Sequence, residues 1–274
     1  SIHANILILA FSAIVLICIV GMLMDLAAPV ASSDSINELE LFLTNPEALP
    51  EFIDNNRHFG QNRGVFSTLW HFTAIRGLNT LYTLLTVDLQ GITRNIYIYA
   101  KTVEWLLKYH YIYCGIFATA LLAVFSVTGG AICRMNALYQ ARGEKAGLKE
   151  ALKFSQSNFS NYFLTPVIPL SVILFLSALI ALTGLAGSIP WIGKFLIGLS
   201  APLTICTGAL VAIFAVGTLL GAGLMFPAVS YGNDCFEAFN HSFSYVYRRP
   251  WWLISYSLLA TVFGSVCYAV LRIF

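Results

Sequence analysis

The stretch FLIGLSAPLTICTGALVAIFAVGTLLGAGLMF, residues 195–226, contains no Asp, Glu, Lys, Arg or His. About 20 apolar residues suffice for a helix to cross the roughly 30 Å hydrocarbon core of a bilayer. This run is long enough to cross and to tilt or protrude as well. Its reading decides the fold, because four other runs share its character: residues 4–29, 111–133, 164–187 and 251–271. Charge is scarce throughout. Residues are 58% hydrophobic and 10% charged, where a soluble domain carries about 25% charged residues. A chain this apolar cannot cover a water-facing surface. The expected class is therefore all-α, a polytopic transmembrane helical bundle of at least five spans with amphipathic interfacial helices. Five is a minimum, since the chain starts with Ser1 and stops at Phe274 in apolar sequence. The first run reads as an anchor helix, being long for a signal peptide and lacking a basic leader.

The few charges predict orientation, since Lys and Arg concentrate in short cytoplasmic loops. Residues 134–163 hold Arg134, Arg142, Lys145, Lys149 and Lys153, and residues 227–250 hold Arg248 and Arg249. The link between the third and fourth spans has only Lys194, and residues 29–64 are acidic, with Asp34, Glu38, Glu40, Glu47, Glu51 and Asp54. The expectation is a cytoplasmic N-terminus, residues 30–110 outside, and 134–163 and 227–250 cytoplasmic. Three parts follow: an anchor (1–29), an extracytoplasmic part (30–110) and a four-span domain (111–274). Trp191, Trp251 and Trp252, with Arg248 and Arg249, fall where interfacial anchors belong.

Residues 30–64 read as loop. Residues 66–110 read as an amphipathic helix, or as two helices broken near Gly91. Ile75, Leu78, Tyr82, Leu85, Leu89, Ile92, Ile96, Tyr99, Val103 and Leu106 recur at steps of three and four, with charged and polar residues between them. This stripe needs a cover: the outer leaflet, the protein's own bundle or another subunit.

Two short phrases repeat. EALKFSQS (150–157) returns as EAFNHSFS (237–244), keeping Glu, Ala and two Ser in place. Each is an amphipathic helix expected to lie at the cytoplasmic face and to feed a span through a proline, Pro166 or Pro250, in the first helical turn. Asn233 or Asp234 is placed to cap the second copy. A duplicated half would explain the pattern, and so would convergence.

The segments GGAICRMNALYQARGEKAGLKEALKF (129–154), PVIPL (166–170) and GLMFPAVSYGNDCFEAFNHSFSYVYRRPWW (223–252) resemble a family of polytopic inner-membrane proteins of planctomycete-type bacteria, one without an assigned activity. The likeness covers 111–258. More loosely, both copies are similar to membrane domains attached to some glycerophosphodiester phosphodiesterases. The resemblance implies an inner-membrane location and carries over no site residues. It fades across 30–110.

Chemistry is sparse. Ion and proton pathways place ionisable groups inside the membrane, and four of the spans as read contain none. Asp25, at the end of the first, reads as a cap or a snorkelling acid. His3, His58, His71, His110 and His241 are scattered, and no paired haem ligand is expected. Glu38 and Glu40, and Glu47 and Glu51, read as a solvated acidic face. Cys18, Cys114, Cys133, Cys206, Cys235 and Cys267 form no C-x-x-C pair and read as small buried apolar residues. No catalytic, cofactor-binding or metal residues are expected, and bound lipid is the ligand class left open. Gly217, Gly221 and Gly223 put small residues on one face of the fourth span, the pattern that lets helices approach closely in lipid.

These readings favour a non-enzymatic structural or accessory subunit of a larger membrane assembly. Its partners would be the bilayer and other membrane subunits or itself, with no nucleic acid. The alternative is a transporter or lipid-handling protein, with a passage between the third and fourth spans near Pro166, Pro169 and Pro202.

Overall fold

A computed structural model describes residues 4–33, 36–56, 63–86, 88–143, 147–187 and 193–273. Trp191, His3, His58, Asp34 and Lys145 lie outside the described residues, as does the side chain of Leu85. Among the described residues the chain is almost entirely helical. Five helices are long and apolar enough to cross a membrane: Ala4–Asp25, Tyr111–Ala141, Phe159–Gly187, Ile197–Ser230 and Pro250–Cys267. The chain divides into two compact units, one of residues 1–10 and 123–257, the other of residues 11–122 and 258–274.

In the second of these units, α1 (Ala4–Asp25) delivers the chain to β1 (Pro29–Val30). The expected loop at 30–64 is instead folded: α2 (Glu38–Thr44), a 3-10 turn (Pro46–Ala48) and α3 (Leu49–Asn56) precede β2 (Arg63–Gly64). The ends of this segment meet, because β1 and β2 pair antiparallel, Pro29 with Gly64 and Val30 with Arg63. Period was hard to see because α2 and α3 are only two turns each. Their burial rests on a few large residues: Leu39, Phe42 and Leu49 join Val30, Val65, Phe66, Trp105 and Tyr113 in one core.

Two helices follow, α4 (Val65–Leu85) and α5 (Leu89–Tyr109). The break falls between the end of α4 at Leu85 and the start of α5 at Leu89, just before Gly91, which is buried in the first turn of α5. A side chain there would come within 2.6 Å of Thr83 and 2.5 Å of Asp88. Gly91 therefore lets the two helices close on each other, and Asn95 Nδ2 donates to Thr83 Oγ1 across the same contact at 3.2 Å.

The other unit contains the repeat. Long α6 (Tyr111–Arg142) leads to short α7 (Leu148–Ser157) and then long α8 (Phe159–Gly187). Long α9 (Gly193–Ser230) leads to short α10 (Cys235–Arg248) and then long α11 (Pro250–Ile273). The matched positions of the two phrases share one environment: Ala151 and Ala238 are buried, and so are Ser155 and Ser242. Two of the four retained positions thus face inward, while Glu150 and Glu237 are exposed. Pro250 opens α11 as expected, but Pro166 lies well inside α8. Helix resumes there immediately after Asn158, whose carbonyl accepts from Tyr162 N at 3.1 Å. Asp234 stands at the start of α10 without a side-chain cap bond.

Candidate functional site

Asp25 ends α1 and holds the start of α4. Its carboxylate accepts from Phe66 N (2.6 Å), Ser67 N (3.0 Å) and Ser67 Oγ (2.5 Å). The first N–H groups of a helix lack intrahelical partners and carry partial positive charge, so an anion there is favourable. Asp25 is a cap, though for a helix that begins 40 residues further along the chain. Gly64 and Gly21 make room for it: a side chain on the first would collide with the Asp25 carboxylate, and one on the second with the Phe66 ring.

Glu38 is not part of a solvated face. It is buried, and its carboxylate accepts from Ala31 N at 2.7 Å while facing His110 Nε2 at 3.1 Å. His110, at the junction of α5 and α6, packs edge-on against Trp105, with ring centroids 4.9 Å apart. Glu40, Glu47, Glu51 and Asp54 are exposed as expected. What set Glu38 apart from them was its partner far along the chain, which local composition cannot show. Next to His110, the end of α1 and the start of α6 border an open cleft of about 350 Å³. Tyr113 lines it, and the buried Tyr113 hydroxyl and Trp105 Nε1 have no hydrogen-bond partner among the described residues. Among the described residues, no three His, Cys, Asp or Glu side chains gather as metal ligands would.

The stripe on α4 and α5 divides. Leu78, Ile92, Tyr99 and Leu106 are half-buried, while Ile75, Tyr82, Leu89, Ile96 and Val103 are exposed. On α5 apolar and polar residues occur on both sides: Ile92, Ile98, Tyr99 and Leu106 are half-buried, while Gln90, Arg94, Glu104 and Lys108 are exposed. Gly91, Asn95, Thr102 and Trp105 face inward. Leu89, Ile96, Val103 and Leu107 face outward along a single row, joined by Thr93 and Ala100. Lys101 and Glu104 pair at 2.8 Å beside this row, and the hydrogen bond to Glu104 holds the Lys101 ammonium above its ordinary pKa.

A second polar cluster joins α6, α7, α8 and α9. The Arg134 guanidinium donates to Ser230 O at 2.7 Å and lies 4.0 Å over the Phe154 ring. Tyr162 Oη meets Ser230 Oγ at 2.9 Å. Ser155 Oγ sits 2.8 Å from both Ser126 O and Val127 O. Gly130 permits this approach, since a Cβ there would lie 2.5 Å from Ser155 Oγ and 2.9 Å from the Tyr162 ring.

The glycine row on α9 serves the short helix α10 and not another span. A Cβ on Gly217 would stand 2.5 Å from the Phe243 ring, while Gly221 makes ordinary contact with Val246 and Ser242. Gly223 faces open space and takes no part, because residues 217, 221 and 223 do not share one side of a helix with a 3.6-residue turn. Trp251, Trp252, Arg248 and Arg249 are exposed. Cys206 and Cys267 are exposed too, not buried within the protein as expected, because they lie on faces of candidate spans that point away from its other helices.

The chain matches no family model, no curated protein and no solved structure. Its class rests on its own architecture. It is a multi-pass helical membrane protein.

Proposed function

We propose that the chain is a non-enzymatic subunit of a larger membrane assembly, engaged through the outward row of α5. The observation that carries this is an exposed apolar row on that helix. Leu89, Ile96, Val103 and Leu107 are exposed while Asn95 and Thr102 are buried. The helix has 21 residues, so the row is about 30 Å long at 1.5 Å per residue. It lies outside the five apolar helices that can span a bilayer, and a second apolar helix laid along it would cover it. The distribution of Lys and Arg supports residues 30–110 outside and the N-terminus in the cytoplasm. The likeness to planctomycete-type proteins supports a bacterial inner membrane.

The test is purification in mild detergent with mass measurement. Co-purification of another membrane subunit, or a homo-oligomer, lost on Ile96→Glu or Val103→Glu, is the expected result. A lone monomer that is unchanged by either substitution sinks the reading.

A lipid-handling role is the second reading, favoured by a cleft of about 360 Å³ between α8 and α9. Its hydroxyls are satisfied within their own helices: Thr183 donates to Ile180 O, Thr204 to Ser200 O and Thr207 to Leu203 O. The wall left for an occupant is apolar and fits an acyl chain better than an ion. Substituting Leu203→Trp to fill the cleft reduces co-purifying lipid under this reading and leaves it unchanged otherwise.

A further inference from the structure

The exposed row of α5 has a spacing that reads the same from either end. Leu89, Thr93, Ile96, Ala100, Val103 and Leu107 alternate steps of four and three, centred midway between Ile96 and Ala100. That is the spacing with which one helix packs lengthwise on another. Thr93 does not interrupt the apolar row, because its hydroxyl donates to Leu89 O and Gln90 O at 2.9 and 3.0 Å and leaves the methyl group for the seam. The two flanks of the row differ. Ile92, Tyr99 and Leu106, on one side, turn half-buried into the protein. Arg94, Lys101, Glu104 and Lys108 occupy the other side, and Glu104 is the only acid within the helix. Arg94 and Glu104 are both exposed.

We infer that the partner on this row is a second copy of the chain, its α5 laid antiparallel along the first about a two-fold axis. In a two-fold interface, if one residue meets another, the second also meets the first, and a row with palindromic spacing satisfies that condition. Leu89 of one copy faces Leu107 of the other, Thr93 faces Val103, and Ile96 faces Ala100. The last layer sets a large residue against a small one, which lets the helices approach. The charges agree with this pairing. Arg94 and Glu104 share one flank and lie on opposite sides of the centre, so Arg94 of each copy comes near Glu104 of the other. An offset of two residues, about 3 Å of rise, is within the reach of these long side chains. The two-fold repeats the ion pair. A parallel pair would instead set the charged flank against the half-buried apolar one. Two copies that enter a bilayer in the same sense have their axis along the membrane normal, so α5 lies along the membrane surface. His110, at φ −129 and ψ 40, ends α5 ahead of the next span and frees its direction. This inference rests on the subunit reading above and names the partner.

The test uses the full chain purified in mild detergent and followed by sedimentation over a range of concentrations. A reversible dimer is expected. Arg94→Glu and Glu104→Arg should each weaken it roughly three- to thirtyfold, since either one turns two exposed ion pairs into like-charge pairs. Both substitutions in one chain re-form the pairs with their signs exchanged and should restore most of the parent's affinity. Neither a parallel pair nor a different partner produces that rescue. Both positions are exposed, so circular dichroism should show every variant folded as the parent is. If the parent dimerises and Ile96→Glu disrupts the dimer, but the double variant gives no rescue, the antiparallel pairing is overturned and the subunit reading stands. If the row holds a different membrane subunit, lost on Ile96→Glu, the second copy is overturned and the subunit reading again stands. A monomer at every concentration, with no such subunit, overturns both.

Discussion

Glu38 and His110 stand 72 residues apart in sequence, and their carboxylate and imidazole meet at 3.1 Å in a buried pocket. The contact ties the first turn of α2 to the junction of α5 and α6. The same carboxylate holds Ala31 N at 2.7 Å, so one side chain organises three segments. Glu38→Ala should lower stability by about 1–3 kcal/mol, because a buried N–H is left without an acceptor. A cycle with His110→Ala should show coupling of at least about 0.5 kcal/mol, measured by thermal unfolding in detergent. Additive single effects would mean that the two groups are neighbours without interaction.

The Asp25 cap makes a local prediction. Asp25→Ala should cost about 0.5–2 kcal/mol, the usual range for a lost N-terminal cap. The loss should be concentrated in the first turn of α4. Faster hydrogen exchange at the Phe66 and Ser67 amides, with α5 unchanged, is the expected pattern. Uniform acceleration along both helices would show that Asp25 supports the unit by some other route.

Much of this architecture was legible from residue type, and the places where it was not share a cause. Apolar runs reveal spans because a bilayer rewards composition directly, and the five expected spans correspond to five helices. Pairing across long sequence separations leaves no such trace. Glu38 looked like Glu40, and only the arrival of His110 distinguishes them. Gly91 looked like a helix breaker because glycine usually is one, but here the small side chain is what lets Thr83 and Asn95 close. The stripe read on α5 splits, with Leu89, Ile96 and Val103 exposed and Ile92, Tyr99 and Leu106 half-buried. Periodicity says which residues share a face and is silent on whether that face meets the core.

The repeat yields a paired comparison of glycines. Gly130→Ala places a Cβ 2.5 Å from Ser155 Oγ and 2.9 Å from the Tyr162 ring, where something must shift. Overpacking of this kind costs about 1–3 kcal/mol. Gly217→Ala meets the Phe243 ring in the other half at a similar distance and should also destabilise. Gly223→Ala meets nothing within 4 Å, so it should be neutral or stabilise by up to about 1 kcal/mol through helix propensity. Thermal midpoints of the three variants in one detergent check the order. Equal losses at 130 and 223 would contradict the packing described for α7.

Arg134 makes the sharpest prediction, because two of its properties act at once. Its guanidinium donates to Ser230 O, at the C-terminal end of α9, where a cation is favoured by the helix dipole. Its flat face also lies on the Phe154 ring of α7. Lysine could supply the charge but not the planar stacking fork. Arg134→Met should therefore loosen both the end of α9 and the seat of α7. Arg134→Lys should restore the first in part and the second hardly at all. The turn after α9 provides the readout: Tyr231 is exposed and Gly232 has φ +103, a left-handed bend that stops the helix. Limited proteolysis at Tyr231 should accelerate several-fold in Arg134→Met and less in Arg134→Lys. Hydrogen exchange at the α7 amides around Phe154 should accelerate equally in both. If lysine protects Phe154 as well as arginine does, the stacking contact contributes nothing and charge alone holds the cluster.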